Sequence, residues 1–245
     1  GGAIVIASAR LILNTKDVDY YVSYDNEKVG ELQGQALLDG MKAKFPDKKN
    51  YNIELFSGSS DDANAPVFFK GAMKILQPKI DDGTLKVVSG QTDIKQTATA
   101  GWKPENAQAR MDNLLTANYA STEIDGVLSP NDTLARAIIT SVKAAGKKDL
   151  PIVTGQDAET ASVKLIISGE QYSTVFKDTR DLAKATVDLV DKVLSGGKPD
   201  GLDTTTYNND VKVVPSILLT PHEVDKSNYQ ALVVDSGYIK AEDLK

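Results

Sequence analysis

Four segments of this chain set acidic, amide or cationic side chains directly behind strand-like runs, and a fifth holds its only tryptophan. After Ile53-Glu54-Leu55-Phe56 comes Ser57-Gly58-Ser59-Ser60-Asp61-Asp62-Ala63-Asn64, and after Val127-Leu128 comes Ser129-Pro130-Asn131-Asp132. Thr154-Gly155-Gln156-Asp157 follows Ile152-Val153, and Lys177-Asp178 follows Thr174-Val175-Phe176. Asp157 accepts hydrogen bonds from hydroxyls, Lys177 donates them, and Asn131 does both. Charged partners make such bonds shorter and stronger than neutral ones. Trp102, in Gly101-Trp102-Lys103-Pro104-Glu105-Asn106-Ala107, adds a flat apolar face at the mouth of a helix whose first turn suits Pro104. An indole beside hydroxyl-binding groups is the chemistry that receives a polyol ring, with its C–H faces and hydroxyl rim. Each residue also has a plainer reading, as a packed Trp or as an Asp or Asn helix cap. The functional reading rests on their coincidence.

The same residues are poorly suited to catalysis. No nucleophile stands beside a base, no metal-ligand cluster is visible, and no glycine loop is built to cradle phosphate. Asp62 and Asp157 are the carboxylates a glycosidase would need, but nothing in their spacing supports an acid–base pair. There is no Cys, which removes disulfides and thiolate metal sites, and His222 is the only histidine on which a zinc site or a Ser-His-Asp triad would have to rest. The expectation is therefore no enzyme, no cofactor and no metal. With 28 Lys and Arg against 34 Asp and Glu, the net charge is −6, which disfavours a nucleic-acid partner because phosphate binding needs a basic face. No apolar run approaches the ~20 residues of a membrane span.

Positioning these groups falls to an alternation of apolar and amphipathic runs. Strands are expected at 3–7, 20–23, 51–57, 85–89, 126–129, 152–154, 173–176 and 211–214, and helices at 26–45, 63–82, 105–118, 132–145, 159–168 and 178–195. Such alternation predicts an α/β protein with parallel sheets and right-handed crossovers. In doubly wound sheets ligands bind beyond the carboxyl ends of the strands, which is where the polar segments fall. Gly83 and Gly146 are expected to end helices as C-terminal glycines, and Gly196-Gly197-Lys198-Pro199 to stop the last long one. The chain opens inside an expected strand, which suggests a fragment of something longer.

These segments resemble the periplasmic sugar-binding receptors of ATP-binding-cassette importers, type I, in the xylose, galactose and multiple-sugar group. The motifs that carry the resemblance span nearly the whole chain. They are Arg10-Leu11-Ile12-Leu13-Asn14 with Asp19-Tyr20-Tyr21-Val22-Ser23-Tyr24-Asp25-Asn26, the Ser57–Ala65 and Gly101–Ala107 segments, Ser129-Pro130-Asn131-Asp132, Gly155-Gln156-Asp157-Ala158 and Val175-Phe176-Lys177-Asp178-Thr179. The resemblance implies the periplasmic binding protein type I fold, with two doubly wound parallel-sheet lobes, a three-stranded hinge and a monosaccharide trapped between the lobes. By it, residues 24–177 and 218–245 form the carboxy-terminal lobe, and residues 1–23 and 178–217 are what remains of the amino-terminal one. The hinge crossings are expected near 23–26, 176–178 and 215–219. Asn64, Trp102, Asn131, Asp157 and Lys177 match family positions that contact the sugar, Asp62 is carried over although its neighbours vary, and Arg10 matches an arginine that reaches the sugar from the other lobe. The Asp-rich calcium loop of some relatives has no counterpart here.

This sequence departs from the family in two ways. Relatives read Tyr-Asp-Arg where this chain reads Ser8-Ala9-Arg10, so a carboxylate that would grip a hydroxyl is absent at Ala9. One lost charged contact is worth on the order of 1.5–3 kcal/mol, more than tenfold in affinity. The family also carries about a hundred residues, a domain's worth, ahead of this point. The expected function is an extracytoplasmic receptor, in the periplasm or as a cell-surface lipoprotein, that captures xylose, glucose, galactose or a similar sugar for an ATP-binding-cassette permease. Reduced or lost affinity is expected in the shortened chain, which would associate through its incomplete lobe. The alternative is a sugar-responsive signalling partner of a membrane sensor. A repressor's effector core would follow a basic helix-turn-helix, and none is present.

Overall fold

The computed structural model describes residues 2–147 and 149–245. In chain order the elements are β1 (Ile6–Ser8), β2 (Tyr20–Tyr24), α1 (Asn26–Lys44), β3 (Tyr51–Leu55), α2 (Ala65–Asp81), β4 (Leu85–Val87), α3 (Ile94–Thr97) and α4 (Pro104–Asn118). They continue with β5 (Gly126–Leu128), α5 (Asp132–Ala144), β6 (Ile152–Val153), α6 (Thr160–Ser168), β7 (Ser173–Phe176), α7 (Thr179–Leu194), β8 (Ser216–Leu219) and β9 (His222–Asp225). The chain divides into two compact units, a smaller one of Gly1–Asn26 with Lys177–Pro221 and a larger one of Glu27–Phe176 with His222–Lys245.

The larger unit is built on a parallel sheet in the order β4-β3-β5-β6. Parallel strands covered on both faces are apolar along most of their length, and alternate side chains go to opposite layers. Ile53, Leu55, Leu128 and Ile152 pack with Leu37, Leu38 and Met41 of α1 and with Ala72 and Leu76 of α2. Phe56, Val127 and Val153 pack on the other side with Met111, Leu114 and Leu115 of α4 and with Leu134, Ile138 and Val142 of α5. Full burial of each such side chain contributes about 1.5–3 kcal/mol, so two filled layers fix the sheet and the strand ends with it. Helices α1 and α2 cross in backbone contact: a Cβ on Gly30 would lie 1.9 Å from the Phe68 carbonyl oxygen, and one on Gly71 would lie 2.1 Å from that of Glu27.

Strand β7 departs from the expected all-parallel arrangement. It pairs antiparallel with β9, with Val175 opposite Glu223 and Phe176 opposite His222, although the chain enters it beside β6 through the Tyr172 N–H on the Val153 carbonyl at 3.0 Å. The C-terminal segment then closes over this pair, Tyr238 meeting Phe176 edge to face at 4.7 Å between centroids.

The smaller unit holds the parallel sheet β1-β2-β8. Ala7, Leu11, Val18, Tyr21, Tyr207 and Val214 form its core, and α7 lies along β2 and β1. The strand expected at 211–214 is not formed. Asn209 instead builds a turn there, its Oδ1 accepting from Val211 N at 3.2 Å and Lys212 N at 3.0 Å, and Asp210 takes φ +70°. Asn and Asp side chains compete in this way with the backbone of a strand, so the segment makes only an isolated antiparallel bridge, Val213 to Asn208, and the parallel ladder of β8 begins after Pro215. The first strand likewise starts at Ile6 and not at residue 3. Among the described residues the exposed large hydrophobics, Ile4, Ile12, Leu13, Val187, Val190, Leu194, Val211 and Val213, all lie in this unit.

Candidate functional site

Trp102 stands where the turn Ala100–Trp102 meets α4, whose first turn carries Pro104. Gly101 and Trp102 take φ values of +63° and +55°. Glycine enters that region freely, whereas a tryptophan there costs on the order of 1–3 kcal/mol and is held by its surroundings. The indole Nε1–H donates to Asp62 Oδ2 at 3.0 Å, Asp62 Oδ1 accepts from Asn64 N at 2.9 Å, and Gly101 N donates to Ser59 Oγ at 2.7 Å. Gly58 lies under the ring, where an added Cβ would come within 2.1 Å of an indole carbon. The indole is half-buried and packs against the cluster of Val29, Phe68 and Val175. The structure thus brings Asp62, Asn64 and Trp102 together through hydrogen bonds.

Asn131 and Asp157 sit on adjacent loops beyond β5 and β6. Asn131 is the N-cap of α5, its Oδ1 accepting from Leu134 N at 2.9 Å. The Asp132 N–H donates to the Gln156 carbonyl at 3.0 Å and joins the two loops. Asp157 is exposed and takes φ +97°, followed by Ala158 at φ +48°. Its N–H donates to the Val175 carbonyl at 2.9 Å, which ties the loop to the strand whose Val175 belongs to the cluster under the indole. Of the positive-φ residues other than glycine, Trp102 and Asp157 are themselves candidate site residues, Ala158 follows Asp157, and Ala9 precedes Arg10. Strain concentrated in this way marks segments shaped for a task other than stability.

Sequence reasoning passed over two residues that hold these loops. Gln33, buried on α1, donates through Nε2 to the Gly155 carbonyl at 2.9 Å and the Pro130 carbonyl at 3.1 Å. A glutamine on the inward side of an amphipathic helix was the available signal. Asp132 is fully buried, and burial pushes its carboxyl up to about 7, with the Asp157 charge adding and hydrogen bonds from Glu159 and Gln171 opposing. On β9, burial followed by the charges of Asp225 and Asp132 pushes the Glu223 carboxyl up to about 8. Ser173 Oγ lies beside that carboxyl without meeting hydrogen-bond geometry.

Arg10 and Lys177 belong to the smaller unit. Arg10 is exposed and follows Ala9, which takes φ +65°. Lys177 is part-buried and precedes Asp178, the N-cap of α7, whose Oδ1 accepts from Arg180 N at 2.9 Å. Among the described residues no helix is long and apolar enough to cross a membrane, and no group of three or more His, Cys, Asp or Glu side chains is arranged to hold a metal ion.

Residues 2–198 match the model of the periplasmic binding protein domain family. The chain is 54% identical over 248 residues to the multiple sugar-binding periplasmic receptor ChvE of Rhizobium radiobacter, covering 100% of this chain and 70% of that protein. It is 40% identical over 243 residues to the D-xylose-binding periplasmic protein of Escherichia coli K12, covering 99% of this chain and 68% of that one. A solved solute-binding protein of an ABC transporter from Clostridium phytofermentans, with bound β-D-glucose, superposes with a TM-score of 0.92 at 42% identity, covering 100% of this chain and 75% of that one. With a parallel sheet sandwiched by helices in the larger unit, strained polar loops at strand ends and these likenesses, the chain belongs to the periplasmic binding protein family and carries its type I fold.

Proposed function

We propose that this chain is an extracytoplasmic sugar receptor that captures a monosaccharide such as xylose, glucose or galactose for an ATP-binding-cassette permease. The observation that carries the reading is the half-buried indole of Trp102, pinned by Asp62 and seated on Gly58 in the polar loop that follows β3. The sugar stacks a C–H face on the indole, and its hydroxyls bond to Asn64, Asn131 and Asp157. By the family resemblance alone, Arg10 and Lys177 are sugar contacts as well. No catalytic step is assigned to any of these groups. The relatives named above, one a multiple-sugar and one a D-xylose binder, support the substrate class.

We read the larger unit as the carboxy-terminal lobe and the smaller as a partial amino-terminal lobe, on the strength of the latter's exposed Val187, Val190 and Leu194. Affinity in this chain is reduced, because Ala9 supplies no carboxylate. The exposed apolar surface also favours a second reading, docking on the outer domain of a membrane sensor. Isothermal titration with xylose, glucose, galactose and arabinose tests the proposal. The expected result is weak, saturable binding of at least one sugar that is lost in W102A. Micromolar binding would overturn the reduced affinity, and binding undiminished in W102A would overturn the site. Co-purification of a sensor domain with no permease would favour the second reading.

A further inference from the structure

We infer that Asp132 is a positioning residue for the sugar site, whose buried carboxylate clamps the 155–159 loop and so sets where Asp157 presents its own carboxylate to a sugar hydroxyl. The inference rests on the sugar-receptor reading and deepens it by naming the group that regulates the geometry of Asp157.

The carboxylate touches both ends of the loop. At one end, a Cβ added to Gly155 would lie 2.1 Å from Asp132 Oδ1, so the side chain and the loop backbone are in contact. At the other, Asp132 Oδ2 accepts from Glu159 N at 2.8 Å, at the N-cap of α6. Oδ1 also accepts from Gln171 Nε2 at 2.9 Å, which ties the clamp to the entry of β7. Between these anchors lie Asp157 and Ala158, at φ +97° and +48°. Two consecutive non-glycine residues in that region persist only where the surroundings over-determine them. The Ala158 N–H on Thr174 Oγ1 at 3.1 Å and the Asp157 N–H on the Val175 carbonyl hold the inner edge of the loop, while the Asp132 carboxylate packs against its start at Gly155 and bonds its end at Glu159.

When ionised, the Asp132 carboxylate accepts from both the Glu159 N–H and the Gln171 Nε2–H. A protonated one turns an oxygen into a donor facing an N–H and loses a bond. With its carboxyl pushed up to about 7 by burial, Asp132 loosens its hold as pH falls through neutrality, and sugar affinity falls with it. The charged groups facing it are Asp157 on the clamped loop and Glu223 on β9. One turn along α5, Arg136 pairs with Glu159 at 2.5 Å.

The test uses the whole chain and two probes, D-glucose and D-xylose. In D132N, which keeps the shape but turns an amide NH₂ toward one donor, the affinity for the bound sugar is expected to fall at least tenfold at pH 7.5. The melting transition should remain cooperative, and the amide resonances of Asp157 and Ala158 should be displaced before sugar is added. Wild-type affinity is expected to drop between pH 8 and pH 6, and the drop should vanish in D132N and persist in E223Q. Wild-type affinity in D132N with a retained pH profile overturns the inference. If neither wild type nor variant binds any sugar, the receptor reading fails by itself. The inference is then decided by the free protein: amides of Asp157 and Ala158 that titrate with the Asp132 side-chain carbon support it, and amides that ignore that titration overturn it. The same wild-type titration decides the matter if D132N does not fold.

Discussion

The indole nitrogen of Trp102 donates to Asp62 Oδ2 at 3.0 Å, while the other oxygen of Asp62 accepts from Asn64 N at 2.9 Å. One carboxylate therefore orients the indole and fixes the start of the helix that follows Asn64. Hydrogen bonds to a charged group are worth about 1.5–3 kcal/mol. D62A is expected to lower sugar affinity about tenfold or more while leaving the circular dichroism of the chain unchanged. Calorimetric titration of wild type and variant side by side checks this, and equal affinities would remove Asp62 from the account.

Gly58 offers a sharper perturbation of the same ring. A Cβ there would lie 2.1 Å from one indole carbon and 2.2 Å from the next, so G58A must move the ring, which already sits in a strained backbone conformation at φ +55°. The expected outcome is a changed emission maximum of the single tryptophan in the absence of sugar, together with a loss of binding at least as large as in D62A. An unchanged emission spectrum would mean that the ring is not confined as described.

The buried Glu223 makes stability depend on pH with a definite sign. Its carboxyl is raised from the usual 4.5 to about 8, so between those values the folded chain binds more protons than the unfolded one. Stability then falls as pH rises through that window and levels off above it. E223Q removes the group that must ionise. The melting temperature of E223Q is expected to exceed that of wild type at pH 8.5 and to approach it at pH 5, as thermal scans at the two values would report. A constant difference across that range would contradict the assignment.

The contact between α1 and α2 is independent of ligand. With only 1.9 Å between a Cβ on Gly30 and the Phe68 carbonyl oxygen, G30A forces the helices apart. Overpacking of this kind costs typically about 1–3 kcal/mol, and more where backbone is the obstacle. Urea unfolding should show a lower midpoint with an unchanged slope. No shift would mean that the helices separate freely.

Much of this was legible in the residues. The alternation that builds β3, β5 and β6 with their helices follows from apolar runs long enough to state their period, and Pro104, Gly83 and Gly146 mark helix ends as written. The family motifs pointed to Trp102 and Asp62, but not to the bond between them, which needs two segments 40 residues apart to meet. The strand expected at 211–214 failed because Asn209 gives the backbone a competing turn. Strand β9 was invisible because His222-Glu223-Val224-Asp225 has too few apolar residues to announce itself and is paired only through β7. Asp132 looked like one more polar residue behind a strand. Its burial, and therefore its role, arises from packing against Gly155 and Gln171, which no local pattern encodes.

The most direct measurement follows the single indole N–H resonance of Trp102 by nuclear magnetic resonance while D-glucose and D-xylose are titrated into the chain. A resonance that moves saturably with sugar, along with the amides of Asn131 and Asp157, is the predicted result. An indole resonance that stays fixed while amides elsewhere shift to saturation would contradict the proposal that this ring cradles the ligand.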